Sequence, residues 1–298
     1  MTRKPTWLLD HMRNVYSQTG EDGVIEKILQ TIPNNDKWCV EFGASDGMFV
    51  SNTRNLIENF DYSAVLIESC KIKFSKLQQN YFSQKNVMVL NTFVGFNKND
   101  GLDKILSNTP VPFDFDLLSI DIDGNDYHVW KAISNYKPKV IVIEFNPTIP
   151  TQVRFVQAAD PSINQGSSLS SIVELAKEKG YELISTLPFN AFFVRSEYFP
   201  LFQIGSNAPD ILRFNQEYVT YLFSGFDGQI YLHGSCTLPW HGIKLKESRF
   251  QRLPRFLRKY PCNYTFLQKV VYKLFLIITD PNKFIKETRI QKGKIKKV

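Results

Sequence analysis

The sequence predicts a doubly wound α/β fold, in which a mostly parallel sheet is covered by helices on both faces. Three observations favour this fold class. Short apolar strands alternate with amphipathic helices over the first 200 residues, the run VIVIE at 140–144 is β-branched up to its final acid, and acidic residues recur where strands end. A continuous β-branched run is typical of a parallel strand buried on both faces. In such sheets, ligands bind outside the carboxyl ends of the strands.

The predicted elements follow one another in chain order. Apolar residues that recur on one face at a period of 3.6 predict a helix, and short apolar runs between turn residues predict a strand. The apolar runs give five strands: 38–42, 64–68, 87–90, 116–122 and 140–144. The helical periodicity predicts one helix before the first strand and others between the strands. These helices cover 21–29, 51–59, a segment through Phe74, Leu77 and Gln78, 102–106 and 129–134.

The predicted core domain closes with a helix and a hairpin. The helix covers 169–179, because Gly180 follows it at a position typical of a helix C-cap. Residues 181–185 and 191–195 then predict two antiparallel strands, which complete a seven-stranded, mostly parallel sheet. We therefore expect a ligand-binding domain over 1–200.

The remaining segment, 201–298, is predicted to be a basic, partly helical C-terminal extension. The glycine-rich stretch 225–240 suits either a β-hairpin or a surface loop, and the apolar stretch 266–278 predicts a helix. The last ten residues are polar and basic, which predicts disorder.

Charge is distributed unevenly along the chain. The net charge is +7, but residues 241–298 contain 16 lysines and arginines against three acids, so the rest of the chain is mildly acidic. A basic end predicts an anionic partner. The arginines at 249, 252, 255 and 258 alternate with apolar residues, which suits an anionic membrane surface or a helical appendage with a solvated basic face. No nucleic-acid reader motif accompanies the charge, so no nucleic-acid partner is expected.

The expected location is cytoplasmic. Four scattered cysteines show no C-x-x-C spacing, so neither a zinc site nor a disulfide framework is predicted. The first residues lack the apolar core of a signal peptide. No apolar run approaches the roughly 18 residues needed to span a bilayer. Contact with the inner face of the membrane would be peripheral, through the basic extension.

Acidic residues and a glycine turn mark the predicted ligand site. In CVEFGASDG, a strand ends in Glu41 and is followed by a turn containing Gly43 and Gly47, where small residues let the backbone approach a ligand. Further acids end the next strands, and Glu68 has the position of a carboxylate that accepts from both hydroxyls of a ribose. The four-residue step between the glycines does not match G-x-G-x-x-G, so a dinucleotide is disfavoured.

These segments, in order, resemble the FkbM-type branch of the S-adenosylmethionine-dependent methyltransferases. CVEFGASDG resembles the first motif of that family, AVLIESCKIKFSKLQQN its second-strand segment and NVMVLNTFVG its third-strand region. LDKIL resembles its leucine-aspartate helix, DLLSIDIDGNDYHVW its strand-four motif, and KPKVIVIEFNP its fifth strand. The resemblance extends from about Ser17 to Arg195. Two positions depart from the pattern, since Ser119 stands where the family commonly has lysine and Asp123 replaces its glutamate.

The resemblance implies a Rossmann-like class I methyltransferase fold and S-adenosylmethionine as the cofactor. It places the methionine part over the glycine turn, the ribose at Glu68 and the adenine beside the residues after the third strand. Asn52, early in the first helix after the turn, is either a ligand of the methionine carboxylate or a plain helix-surface residue. The implied cofactor-binding residues are Glu41, Gly43, Ala44, Asp46, Gly47, Asn52, Glu68, Ser69, Thr92 and Phe93.

The run after strand four contains the candidates for catalysis. Methyl transfer to a hydroxyl needs a group that takes the proton, and the predicted catalytic residues are Asp121, Asp123 and His128, with Asp126 nearby. A solvent-facing histidine near a helix start is the plainer interpretation of His128. The spacing excludes an EF-hand calcium loop, but Asp121, Asp123 and Glu144 are oxygen ligands of the kind Mg²⁺ takes.

The predicted function is S-adenosylmethionine-dependent O-methylation of a hydroxyl on a sugar or surface-glycan precursor. Two alternatives from other classes remain. The first is a catalytically silent Rossmann-like binding module in a glycan-assembly complex, which the Ser119 departure keeps open. The second is an NAD(P)-dependent oxidoreductase that uses the same end of the sheet.

Overall fold

The computed structural model describes residues 2–33, 35–280 and 282 and confirms the predicted α/β fold. Seven strands form one sheet in the order β3-β2-β1-β4-β5-β7-β6. The first five strands are parallel, whereas β7 runs antiparallel to both β5 and β6. The strands of this sheet are β1 Trp38–Phe42, β2 Ser63–Ile67, β3 Val87–Leu90, β4 Leu117–Ile120, β5 Val140–Glu144, β6 Tyr181–Thr186 and β7 Asn190–Arg195.

Helices precede and connect these strands. They are α1 Glu21–Thr31, α2 Arg54–Phe60, α3 Lys71–Asn80, α4 Leu102–Leu106, α5 Asp126–Ala132, α6 Leu169–Glu178 and α7 Pro209–Leu212, with short 3₁₀ segments at Trp7–His11 and Phe199–Phe202. The chain moves from β1 outward to β3 and then returns to add β4 on the other side of β1. This arrangement is that of Rossmann-like class I methyltransferases, and its reversal point between β1 and β4 is where ligands of doubly wound sheets bind.

The central strands are buried on both faces. Every residue of β4 is buried, and apart from the partly buried Trp38 at the start of β1, the apolar residues of β1 and β5 are at most 1% exposed. Burying a side chain of this size stabilises the fold by about 1.5–3 kcal/mol. The continuous apolar runs therefore form parallel strands with helices on both sides, as the sequence predicts, and the polar strand ends are left for the site.

Two helix starts differ from the sequence prediction. The helix predicted from 51 begins at Arg54, because the segment before it is held by a buried acid of β1. The helix predicted from 129 begins earlier, at Asp126, whose carboxylate accepts from the amide of Ile122 at 3.0 Å. That bond also draws the chain out of β4 after Ile120, two residues before the predicted end of the strand.

The first compact unit comprises Met1–Gln216, so it includes residues 201–216, which follow the boundary expected from the sequence. The second unit comprises Glu217–Val298. In the second unit, β8 Thr220–Ser224 and β9 Ile230–Gly234 form an antiparallel hairpin, and its turn and second strand fall in the glycine-rich stretch 225–240. The other elements of this unit are β10 Thr237–Leu238, β11 Ile243–Lys244, α8 Glu247–Phe250 and α9 Phe266–Thr279.

The long helix α9 confirms the helix predicted over 266–278. Among the described residues, no helix is long and apolar enough to cross a bilayer. The last ten residues, for which disorder is predicted, lie outside the described part of the chain.

Candidate functional site

The register of the parallel ladders aligns the carboxyl ends of four strands. The last paired residues of β1, β2 and β4 lie side by side, and the residue after each one continues the row. The ladder between β4 and β5 extends the row by one more strand. The row therefore reads, across the reversal point, Glu68, Gly43, Asp121 and Glu144.

Gly43 follows β1 and lies against the backbone of Asp121, the residue after β4. Its φ is +78°, in the left-handed region that side chains rarely adopt. A Cβ built on Gly43 would lie 1.8 Å from the carbonyl oxygen of Asp121. Only glycine fits this position, so the first turn residue is fixed by the neighbouring strand.

The rest of the turn is held by packing and by local hydrogen bonds. Gly47 has a φ of +71°, and a Cβ there would lie 2.5 Å from the ring of Tyr81. The Oδ1 atom of Asp46 accepts from the amides of Met48 and Phe49 at 3.0 and 3.1 Å. These contacts give the turn a defined shape before any ligand binds.

Glu68 connects the glycine turn to the end of β2. It is buried, its Oε2 accepts from the amide of Ser45 at 2.9 Å, and its Oε1 accepts from the amide of Cys70 at 2.7 Å. An ionised carboxylate has about four acceptor positions, of which these two amides use two. Glu68 can therefore hold the turn and still accept hydrogen bonds from a diol.

Glu41 lies inside the domain and organises the approach to α2. Its carboxylate accepts from the hydroxyls of Ser51 and Thr53, both at 2.6 Å, and from the amide of Asn52 at 3.0 Å. Burial raises the pKa of Glu41, although these hydrogen bonds oppose the shift. The Nδ2 of Asn52 donates to Ser119 at 3.1 Å. Asn52 is thus buried just before α2, which does not fit a plain helix-surface residue.

A cleft opens at the row of strand ends. Four of the residues assigned to the cofactor from the sequence line it, namely Gly43, Ser69, Thr92 and Phe93. The other assigned residues lie behind the cleft or in the turn beside it. Six further residues complete the lining: Ile67, Val94, Ile122, Asn125, Pro161 and Asn164.

Asn125 is a cleft residue that the sequence did not identify as one. Its Nδ2 donates to the carbonyl of Asp160 at 3.0 Å. Its Oδ1 is buried and has no hydrogen-bond partner among the described residues. Because a buried acceptor without a partner costs about 1–3 kcal/mol, a ligand donor in the cleft would relieve that cost.

Three carboxylates meet beside Gly43, at the ends of β4 and β5. The ligand oxygens of Asp121, Asp123 and Glu144 lie within 4.8 Å of one another. Burial raises the pKa of Asp121 to about 8, with the charges of Asp126 and Asp123 adding to the effect. Burial and the charge of Asp121 also raise the pKa of Glu144 well above its usual range. Asp121, Asp123 and Glu144 therefore lie together, whereas Glu41 lies inside the domain, and burial favours the protonated forms of Asp121 and Glu144.

Asp126 has a structural part in this cluster. Its two oxygens accept from the amides of Ile122 and Gly124 at 3.0 and 2.9 Å, which closes the turn between β4 and α5. Burial raises the pKa of Asp126 to about 6, against the effect of these two bonds. The residue therefore shapes the loop that presents Asp121 and Asp123.

His128 is held by the loop that follows β5. Its Nε2 lies 2.8 Å from the carbonyl oxygen of Gln157, and because a carbonyl only accepts, Nε2 is the donor. The imidazole packs against the rings of Phe96 and Tyr127, with centroids 5.6 and 5.4 Å away. These contacts fix the orientation of the His128 imidazole beside the turn that carries Asp121 and Asp123.

The loop at 146–168 is built against the turn that carries the acids. Asn164 donates to the carbonyl of Asp123 at 3.0 Å, and Ile163 packs against Gly124. The loop has its own internal support, because the buried Gln157 accepts from the amides of residues 165 and 166 at 2.9 and 2.8 Å. The loop therefore borders the turn that carries Asp121 and Asp123.

Two acids begin α1, and one of them connects to the strand that pairs with Glu144. Asp22 accepts from three successive amides, those of residues 15, 16 and 17, at 2.7–2.8 Å. Glu21 accepts from the side chain of Asn190 at 3.2 Å, and Asn190 is the β7 partner of Glu144. The only sequence signal for this contact was two adjacent acids before the apolar face of the helix.

Comparison with known proteins gives matches among solved structures only. No protein-family model and no curated protein matches the chain. A putative sarcosine dimethylglycine methyltransferase from Galdieria sulphuraria is 15% identical, with 53% of this chain and 60% of that chain covered and a TM-score of 0.36. The N-terminal domain of EvdMO1 with SAH bound is 10% identical, with 60% and 80% covered and a TM-score of 0.39.

A third match is precorrin-6y C5,15-methyltransferase from Geobacter metallireducens GS-15. It is 15% identical, with 62% of this chain and 94% of that chain covered and a TM-score of 0.38. The chain thus spans 60% of the length of the Galdieria protein. Matches with identities and TM-scores this low carry no information about the chain beyond what the strand order of its sheet already gives.

Proposed function

We propose that this chain is an S-adenosylmethionine-dependent methyltransferase of the FkbM type. The observation that carries the proposal is the cleft at the reversal point of the sheet, where a side-chain-free turn at Gly43 lies between the carboxylate of Glu68 and the acids after β4. The four-residue step between Gly43 and Gly47 supports a nucleoside cofactor other than a dinucleotide.

The residues in the cleft and beside it fit S-adenosylmethionine. Glu68 would accept from the ribose hydroxyls with its two remaining acceptor positions. Thr92 and Phe93, at the exit from β3, would border the adenine, and the unpartnered Oδ1 of Asn125 would accept from an amino group. When bound, the cofactor supplies a methyl group made electrophilic by its sulfonium.

The acid cluster would take the proton from the acceptor hydroxyl. A general base works best with a pKa near the working pH, and burial raises the pKa of Asp121 to about 8. Asp123 is exposed on the same turn, so it can meet an acceptor that the loop at 146–168 holds. Proximity and orientation of the two reactants would supply several kcal/mol more.

The acceptor we propose is a hydroxyl on a sugar or surface-glycan precursor. The ordered set of FkbM-type segments supports this class, and the exposed carboxylate of Asp123 is suited to accept hydrogen bonds from polyhydroxylated molecules.

All four cysteines are free, which supports a reducing, cytoplasmic setting. A Mg²⁺ ion held by Asp121, Asp123 and Glu144 would relieve the mutual repulsion of these acids.

Methyl transfer can be measured directly with radiolabelled S-adenosylmethionine and a panel of free, nucleotide-linked and lipid-linked sugars. We expect label in at least one sugar class, and transfer to none of them would contradict the proposed acceptor.

Asp123→Asn should lower turnover about 10²- to 10⁴-fold while leaving cofactor affinity unchanged. Asp114→Asn, an equal charge change at an exposed position before β4, serves as the control and should leave turnover unaltered.

A further inference from the structure

The helix α9 presents an apolar stripe to solvent. Six apolar side chains, 40–85% exposed, form what we call the α9 stripe: Phe266, Leu267, Val270, Leu274, Ile277 and Ile278. At about 100° per residue, all six lie within roughly 120° of the helix circumference. A continuous exposed stripe of this width is characteristic of a helix that lies on an apolar surface.

Positive charge adjoins the stripe. On the same helical projection, Lys269 and Lys273 fall within about 60° of the edge that Phe266 marks. The surrounding sequence is basic as well, with 16 lysines and arginines against three acids between 241 and 298. An anionic lipid leaflet has apolar acyl chains below negatively charged headgroups. An apolar stripe bordered by lysines complements both layers.

The local fold holds the stripe in place. Thr265 and Gln268 form a capping box at the start of α9, with the Gln268 amide donating to the Thr265 hydroxyl at 3.3 Å. The Nε2 of Gln268 also donates to the carbonyl of Phe256 at 2.7 Å. This bond joins the helix to the turn at Arg255–Leu257, so the turn's arginine and its half-exposed Phe256 lie beside the start of the stripe.

The length of α9 decides how it would meet a bilayer. Its 14 residues span about 21 Å, less than the roughly 30 Å of a hydrocarbon core. The helix is therefore suited to lie in the headgroup boundary with its stripe inserted.

We propose that the α9 stripe is a docking surface for an anionic membrane, with Lys269 and Lys273 contacting lipid headgroups. This inference is independent of the proposed methyl transfer, because it uses only residues of the second unit. It predicts that the chain binds reversibly at a lipid surface, where a lipid-linked acceptor would be concentrated.

Sedimentation of the full chain with lipid vesicles tests the proposal. We expect binding to vesicles that contain phosphatidylglycerol, little binding to pure phosphatidylcholine, and weaker binding at high salt. Leu274→Glu should reduce binding at least about tenfold, since it removes inserted apolar area and adds a repelled charge. The double change Lys269→Gln with Lys273→Gln should weaken binding by about fivefold per lysine.

The controls separate the stripe from general effects. Ile72→Glu makes the same kind of change at a 75% exposed position of α3 and should bind vesicles like the unmodified chain. Leu274 is 55% exposed, so its replacement should leave the melting temperature unchanged. Unchanged vesicle binding by Leu274→Glu would overturn the proposal. So would absence of binding by the unmodified chain, or a dimer in light scattering that Leu274→Glu dissociates.

Discussion

Replacing Gly43 by alanine should abolish S-adenosylmethionine binding and destabilise the first unit by about 2–5 kcal/mol. Two costs add in this estimate: a φ of +78° on a residue with a side chain, and a Cβ 1.8 Å from the carbonyl oxygen of Asp121. The atom in the way belongs to the backbone, so it cannot rotate aside. The ends of β1 and β4 would have to separate, and the cleft between them would change shape.

The matched control is Gly205→Ala. A Cβ at Gly205 meets no atom within 4 Å, and its φ is not in the left-handed region. This control should keep both the melting temperature and the cofactor affinity of the unmodified chain, as measured by thermal denaturation and calorimetry. Wild-type affinity in Gly43→Ala would show that the turn does not border the ligand.

Asp121→Asn should stabilise the protein, and the gain should grow between about pH 4 and pH 8. Burial and neighbouring acids raise the pKa of Asp121 to about 8 in the folded state, against about 4 in an unfolded chain. Below pH 4 both states hold the proton. As pH rises toward 8, the unfolded state loses its proton first, so the aspartate contributes progressively less stability.

The size of this gain is bounded by the shift. Four pKa units correspond to at most about 5–6 kcal/mol, and we expect roughly 1–3 kcal/mol because Glu144 and Asp126 relax when one charge is removed. Melting curves at pH 5 and pH 8 measure it, with Asp114→Asn as the control that should show no pH-dependent gain. An equal gain at both pH values would contradict the assigned cause.

Added Mg²⁺ distinguishes an acid cluster that binds the cation from one that holds only protons. If Asp121, Asp123 and Glu144 hold the cation, Mg²⁺ should raise the melting temperature of the unmodified chain at pH 8 and should have little effect on Asp121→Asn. Turnover should fall in the same variant if Asp121 takes the proton, so stability and activity should change in opposite directions.

Much of the fold and the polar row could be predicted because both follow from short-range pattern. VIVIE and WCVEF form strands with the predicted bounds, since a run of apolar residues covered on both faces has few alternatives. Acids at successive strand ends share one edge in any parallel sheet, so the proximity of Asp121 to Glu144 follows from the fold class alone.

The remaining features depend on long-range contacts that no local pattern reveals. Residues 51–53 have a helical pattern, but the buried Glu41 competes for their hydroxyls and amides and delays α2. The contact between the Nε2 of His128 and the carbonyl of Gln157 forms only when the loop after β5 folds back onto α5. The link from Glu21 to Asn190 joins residues 169 positions apart, which sequence spacing cannot predict.

Calorimetric titration of the purified chain with S-adenosylmethionine, and separately with NAD(P), tests the central claim most directly. We predict saturable heat with S-adenosylmethionine and none with NAD(P). We also predict an affinity for S-adenosylmethionine about 10- to 100-fold lower in Glu68→Ala, which removes the carboxyl acceptor and leaves the amides of Ser45 and Cys70 unpaired. No heat with S-adenosylmethionine at millimolar concentration, or tight binding of NAD(P), would contradict the assignment of the cleft.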